Sequence, residues 1–450
     1  MTAIKRSGID QPVSIIPLVT FRITFGLLML FSILRFMWRG WVDTVYIQPK
    51  FHFTYMGFEW VQPFRATGMY ILFGVIVLAT LCITLGLFYR IATVIFFTGF
   101  TYVELIDATT YLNHYYFISL VAFILIWLPA NRYYALDVCR RPTIERTLVP
   151  AWNIGIIRFQ LAVVYIFAGL AKLNADWLLY AEPMRTWLPS KSHLPFIGEL
   201  MYKEWVAYLF SWFGAAYDLL IVFFLLNKRT RPVAFFFVLV FHIATAIFFP
   251  AIGMFPYVMI VSSLIFFPAA FHEKLLSLLP LFNKQSKTTE TTDKIYQYKN
   301  KTSIYTVTMV YIFFQLIVPL RFLIYPDRLF WSEEGYRFSW RVMLMEKAGV
   351  AYFTVKDQTG KQSCVVNNSE FLTPLQEKMM STQPDMILRY AHFIAKEYKG
   401  RGIINPQVFG EVYVALNGER SRLFIDSTVN LAAESLSWRH YQWILPYNKR

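Results

Sequence analysis

Cysteine is scarce in this sequence, with only Cys82, Cys139 and Cys364 among 450 residues. The first lies inside an apolar run, the second in a basic loop and the third far downstream, so no disulfide framework is indicated. Charge is scarce too. Asp, Glu, Lys and Arg make up 16% of the chain against 56% hydrophobic residues, more apolar surface than one soluble core can bury. Acidic residues are fewer than basic ones, 28 against 43. Such an imbalance can signify nucleic-acid binding, but here the cations sit in loops beside apolar runs, where the positive-inside rule accounts for them. A lipid bilayer is the expected partner, and nucleic acid is not. An internal repeat of the inverted kind found in many secondary transporters is also missing.

What the sequence has is length in its hydrophobic runs. Crossing about 30 Å of hydrocarbon takes roughly 20 apolar residues. Residues 13–36 follow Lys5 and Arg6, but the run exceeds a signal-peptide core and lacks a small-residue cleavage site, so it reads as a retained span. Further candidates are 69–87, 91–111, 115–128, 154–172, 205–226, 232–249, 254–267 and 305–324. That makes about nine spans, of which 115–128 and 254–267 are short. With a cytoplasmic N-terminus and nine crossings, Arg90, Arg132, Arg140, Arg141, Arg146, Lys228, Arg229, Arg231 and Lys274 share one side with the lysines of 284–301. Far fewer cations fall opposite, among them Arg39, Arg65, Arg185 and Lys191. The asymmetry places the C-terminal end outside the cytoplasm.

These patterns divide the chain into a transmembrane domain, 1–325, and a β-rich extracytoplasmic domain, 326–450. Residues 283–301 are polar and read as a flexible cytoplasmic loop without chemistry. Beyond Tyr325 alternation begins: Ala351, Phe353 and Val355 against Val350, Tyr352 and Thr354, with a turn near Thr359 and Gly360, predict a hairpin. Helical spacing of Ile387, Tyr390, Ala391 and Ile394 predicts a helix over 384–398, ended by Gly400. Two strands follow, 411–416 and 422–425, joined around Asn417-Gly418.

Ionisable groups inside hydrocarbon are expensive, so Arg22, Glu104, Asp107, Arg158, Lys172, Asp218 and His242 each need a partner or a task. For Arg22, Glu104 and Arg158 the simplest reading is a buried ion-pair network. A lone intramembrane histidine such as His242 most often hydrogen-bonds across helices. Lys172, near the non-cytoplasmic end of its span, has two readings. It can snorkel to the interface, or be held in a protein pocket by a helix that Gly169 and Ala171 let approach closely. Desolvation favours an uncharged amine, the form that can act as a general base. His114, in the expected turn 111–116, falls on the same side, as an aromatic-flanked interfacial residue or a second proton-handling group.

Tyr111-Leu112-Asn113-His114-Tyr115 and the run Gly169-Leu170-Ala171-Lys172-Leu173-Asn174-Ala175-Asp176-Trp177 resemble the vitamin K-dependent γ-glutamyl carboxylases and their microbial homologues. Phe51-His52-Phe53, Gly57-Phe58-Glu59-Trp60, Phe241-His242, Ile252-Gly253-Met254-Phe255-Pro256-Tyr257, Tyr336-Arg337-Phe338-Ser339-Trp340 and Val412-Tyr413-Val414-Ala415-Leu416-Asn417-Gly418 are similar to family segments as well. The resemblance covers nearly the whole chain. It implies a membrane enzyme that couples oxygenation of reduced vitamin K, a naphthohydroquinone, to its epoxide with carboxylation of a peptide glutamate. O₂ and CO₂ are then co-substrates, a glutamate-containing peptide or protein is the partner, and no metal is expected. The oxidation generates a base stronger than any side chain, which the weakly acidic γ-carbon requires, and a water-poor cavity protects it.

By the same resemblance Lys172 is the base toward the hydroquinone and His114 acts on the glutamyl carbanion or its oxyanion, with Asn113 helping to orient it. Asn113 and His242 are expected at the cofactor, and Tyr336 and Trp340 at the substrate. One departure matters: Met345 stands where the animal enzymes carry a histidine, which weakens any transfer of peptide-glutamate recognition. The chain also stops where those enzymes continue, an expectation that favours a bacterial cytoplasmic membrane over an endoplasmic reticulum membrane. Two alternatives stay open: a quinone epoxidase with a different acceptor, and a non-enzymatic transporter or scaffold.

Overall fold

In hydrocarbon every backbone polar group must find its partner within the segment, so long apolar runs become helices. The computed structural model describes residues 8–278, 294–360 and 362–447. It contains seven helices long and apolar enough to cross a membrane and two shorter apolar ones. In chain order they are α1 (Ile16–Trp38), α2 (Ala66–Leu85), α3 (Tyr89–Ile106), the short α4 (Asn113–Trp127), α5 (Trp152–Ala171), α6 (Glu204–Leu226), α7 (Arg231–Phe248), the short α8 (Phe255–Ser263) and α9 (Lys301–Ile317). A 3-10 stretch, Val318–Ile324, prolongs α9. The nine expected spans are thus seven full-length helices and the two whose brevity was legible.

Local signals set the ends. Proline in the first turn starts α1, α7 and α8, where its missing N–H costs nothing. Gly86 ends α2 at φ 64°, a left-handed conformation that a side chain resists. It also has no room for one, because a Cβ there would stand 2.5 Å from the Cβ of Ala135 and 2.7 Å from Nη1 of Arg22.

The buried arginines do not build the expected ion-pair network with Glu104. Arg22 donates to the carbonyls of Ala130 and Tyr134 at 2.8 and 2.6 Å, and Arg158 to those of Ile265 and Phe266 at 3.0 and 3.4 Å. Arg231 treats the end of α6 likewise, reaching the carbonyls of Leu225 and Leu226. The reason is geometric: carbonyls in the turn after α4 and at helix ends have no intrahelical donor, and those at helix ends carry partial negative charge, so a guanidinium satisfies them without needing an acid. Of the polar loop, 279–293 lie outside the described residues, as do Lys5 and Arg6. From Lys294 onward the loop is anchored, since Thr147 donates to the carbonyl of Lys294 and Tyr296 to that of Leu148.

Two short strands, β1 (Pro12–Ser14) and β2 (Leu148–Pro150), pair antiparallel at the bundle's edge. Downstream, an antiparallel sheet runs in the order β4-β3-β5-β6, with β3 (Lys347–Lys356), β4 (Ser363–Val365), β5 (Gln407–Leu416) and β6 (Arg422–Leu423). Both expected hairpins are present, and long pairing of β3 with β5, Lys347 opposite Leu416, joins them. Alternation decides the face: Ala351, Phe353 and Val355 of β3 and Val408, Val412 and Val414 of β5 are buried under α10 (Pro374–Met380) and α11 (Pro384–Gly400). The expected helix is therefore two residues longer, with Gly400 inside and Arg401 as its cap.

One buried acid that fastens the C-terminal region to the bundle is Asp107. Asp107, just past α3, accepts from the backbone and hydroxyl of Thr109 at 2.9 and 2.6 Å, lies 3.2 Å from Nδ1 of His52, and accepts from Gln376 of α10 at 2.9 Å. Gln376 also donates to the carbonyl of Phe51. Replacing Asp107 by Ala strands several buried donors, each costing about 1–3 kcal/mol. Asp107→Ala is expected to raise amide hydrogen exchange across Pro374–Met380 while leaving α1 protected. Unchanged exchange in that helix would show that the clasp does not hold the two parts together.

Candidate functional site

Lys172 caps the end of α5 and is 5% exposed. Its Nζ donates to Oδ2 of Asp218 on α6 at 2.6 Å and to the carbonyl of Ala168 at 3.3 Å, and it lies 5.2 Å from the Trp177 ring centroid. That indole is fixed in turn, donating through Nε1 to the carbonyl of Ser211. The snorkelling reading is therefore overturned: the amine points into protein because an acid waits there. Gly169 makes the meeting possible, since a Cβ at that position would come within 2.7 Å of the Leu219 side chain and 2.8 Å of its backbone nitrogen. Close approach of α5 and α6 is what brings Asp218 beneath Lys172.

The pair faces a cavity of about 320 Å³ between α5, α6, α7 and α8, walled chiefly by apolar and aromatic side chains. His242 on α7 lines it and is fully buried. Its Nε2 lies 2.9 Å from the hydroxyl of Tyr165, and its Nδ1 has no partner. Tyr217, on α6, stacks on Phe241 with ring centroids 4.0 Å apart.

His114 lies in the first turn of α4 and not in a connecting turn, because α3 stops at Ile106 and a 3-10 turn, Ala108–Thr110, intervenes. It is 2% exposed, and its Nε2 has no partner. His114 lines a second cavity of about 520 Å³, beneath the C-terminal region, together with Asn113, Tyr336, Arg341 and Glu346. The two chambers share a wall of Phe249, Ile252, Phe255, Val342 and Met343. Phe255 stands between the histidines, its ring 6.2 Å from His114 and 5.7 Å from His242. Lys172 and His114, expected to converge, thus face neighbouring chambers.

Three other expected site residues divide. Asn113 does not orient His114; its amide donates to the carbonyl of Arg341 at 2.8 Å and accepts from the hydroxyl of Tyr111 at 3.0 Å. Tyr336 lines the second chamber, and burial raises its hydroxyl above the ordinary range, keeping it a donor. Trp340 is fully buried, stacks on Tyr116 with centroids 5.0 Å apart and lines none of the described cavities, so it is a packing residue and unavailable to a substrate. Sequence reasoning listed Asp218 among costly charges without pairing it, and it missed Tyr165. The spacing Asp218 to Lys172, across two helices, carries no local signal.

Fold and site together define a polytopic membrane protein in which buried proton-handling groups surround an apolar chamber under a β-containing domain. Residues 10–271 match the family model described as HTTM domain, more than half of the chain, and 300–450 match the lumenal domain of vitamin K-dependent gamma-carboxylase. The chain belongs to the vitamin K-dependent γ-carboxylase family. No solved structure matches it.

The close contact at Gly169 yields a test. Gly169→Ala forces α5 and α6 apart and is expected to lower stability by about 1–3 kcal/mol, as overpacking does. Gly155→Ala, in the same helix with nothing within 4 Å of the added carbon, should be neutral or stabilising. Thermal unfolding of both in detergent micelles checks this; equal midpoints would remove Gly169 from the account.

Proposed function

We propose that the chain is a vitamin K hydroquinone-epoxidising carboxylase, which couples oxygenation of a reduced naphthoquinone to carboxylation of a peptide glutamate. The observation that carries the reading is a buried Lys172–Asp218 pair facing a largely apolar chamber. The chamber suits a flat bicyclic quinol, since its aromatic walls offer stacking surfaces and the orphaned Nδ1 of His242 offers one polar contact. A reduced naphthoquinone bound there supplies, through its reaction with O₂, a base strong enough to take a γ-proton from glutamate, whose carbon then adds to CO₂ while the quinone leaves as its epoxide.

The residues divide the remaining work. Asp218 and Lys172 need share only one proton; placed on Oδ2 of Asp218 across 2.6 Å, it leaves a lone pair on Nζ directed at the chamber. Lys172 is thus the base toward the quinol hydroxyl and Asp218 the holder of the displaced proton. Tyr165 fixes the ring of His242. Phe255 and its neighbours line both the quinol's chamber and that of His114, where the acceptor enters, so its γ-carbon has to meet the quinone-derived base directly at this shared apolar wall, away from bulk water. His114, unpartnered at Nε2, accepts a hydrogen bond from or donates one to the reacting carboxyl of the acceptor. Tyr336 is placed beside it.

The charge asymmetry of the loops and the match to a lumenal domain support a cytoplasmic N-terminus and an extracytoplasmic C-terminal domain. The transmembrane catalytic unit is taken as 1–325 and the substrate-admitting unit as 326–450.

Purified full-length protein in nanodiscs is expected to convert vitamin K hydroquinone to the epoxide in an oxygen-dependent manner and to fix labelled CO₂ into a glutamyl peptide. Lys172→Ala and Asp218→Asn should each slow both products by about 10²–10⁴-fold, the usual worth of a positioned base. His114→Ala should spare epoxide and lose carboxylation. Epoxide without labelled peptide would indicate a different acceptor, for which Met345 in place of the family histidine is the motivating observation. Neither product from folded, quinone-binding protein would favour a transporter or scaffold.

A further inference from the structure

A third cavity, of about 520 Å³, lies where the ends of α5 and α9 meet the C-terminal region. Its walls are Phe167, Leu170 and Leu173 from the end of α5, Pro319 and Leu320 from the stretch after α9, and Phe330. Leu170, Leu173 and Leu320 are 47%, 51% and 41% exposed, so the cleft is open along an apolar flank of the bundle. At its floor lies Arg341.

Arg341 is 7% exposed, and its side chain has no ion pair or hydrogen bond to any described residue. Its one attractive contact is with the face of Phe322, another wall residue, 4.2 Å from guanidinium carbon to ring centroid. Burial pushes the guanidinium down to about 10. The other charged groups of the cleft are already satisfied: Arg328 pairs with Asp176, which also accepts from Asn417 at 3.0 Å. A buried charge without a counter-ion is among the most expensive arrangements a fold can hold. Buried Arg22 and Arg389 are matched to carbonyls or an acid, whereas among the described residues no such group faces Arg341.

We propose that this cleft binds an anionic phospholipid, its headgroup phosphate on the Arg341 guanidinium and an acyl chain along Leu170, Leu173 and Leu320. The guanidinium fork fits a phosphate with two parallel hydrogen bonds. The apolar flank selects a lipid over a free anion, because a soluble phosphate or carboxylate gains nothing from it. The cleft shares no lining residue with the quinol chamber, and of the residues around His114 it shares Arg341 alone, which lines both cavities.

Native mass spectrometry of the full-length protein, titrated with phosphatidylglycerol or phosphatidylcholine of equal chain length, tests the site without turnover or quinone. The intact protein is expected to retain phosphatidylglycerol at concentrations at least about tenfold below those needed for phosphatidylcholine, the worth of one charge-assisted contact. Arg341→Gln should abolish that preference and Arg341→Lys keep part of it. Leu170→Trp, which fills the cleft and leaves the cation, should weaken retention of both lipids. Thermal unfolding in phosphatidylcholine micelles shows which variants are folded, and should Arg341→Gln fail to fold, Arg341→Lys and Leu170→Trp carry the test. An unchanged preference in folded Arg341→Gln overturns the proposal. So does displacement of the lipid by inorganic phosphate or a glutamyl peptide, either of which would make the guanidinium a free-anion or acceptor site.

Discussion

The buried pair of Lys172 and Asp218 is the contact from which the rest of this architecture follows. An ammonium and a carboxylate taken out of water each lose several kcal/mol of hydration, and only a short, well-aligned contact returns enough. That contact needs α5 and α6 to touch at Gly169, and it needs Trp177 held over the amine by the carbonyl of Ser211. The cost is tolerable because each partner neutralises the other. What is left is one short ion pair on the wall of an otherwise largely apolar chamber.

Other charges are buried by different means. Arg22, Arg158 and Arg231 are placed against the open carbonyls of chain turns and helix ends, so each cation stabilises a boundary between elements. Asp107 gathers four donors from three segments and clamps the C-terminal region down. These arginines and Asp107 are spent on the fold. Lys172, His114, His242 and Arg341 differ in that each lines a cavity, and the last three carry a buried nitrogen without a partner. Unsatisfied polarity facing a cavity, and not charge alone, separates the groups that hold this fold from those available to ligands.

The two-chamber arrangement bears on the proposed coupling. A strong base generated beside bulk water would be quenched at once, so two half-reactions must meet through protein and not through solvent. A wall of Phe249, Ile252, Phe255, Val342 and Met343 provides an apolar boundary, with Lys172 on one side and His114 on the other. Val342 and Met343 come from the C-terminal region, so docking of that region completes both chambers.

Much of this was legible in the chain itself. Runs of apolar residues determine the membrane class and the nine helical elements, since hydrocarbon leaves the backbone no alternative. Alternation at Ala351, Phe353 and Val355, and the Asn417-Gly418 turn, determine both hairpins, because period-two burial and positive-φ turns are local properties. The candidate lysine and histidines were visible as polar groups in apolar surroundings. Tertiary structure alone decided their partners: that Lys172 meets Asp218, that the arginines cap carbonyls, that Phe255 stands between His114 and His242, and that Trp340 is core. The strand pairing of β3 with β5, and the starting point of α4 at Asn113, were settled in the same way. Each depends on groups from distant segments coming within a few ångströms, and sequence spacing within one helix or strand does not encode which distant face will be its neighbour.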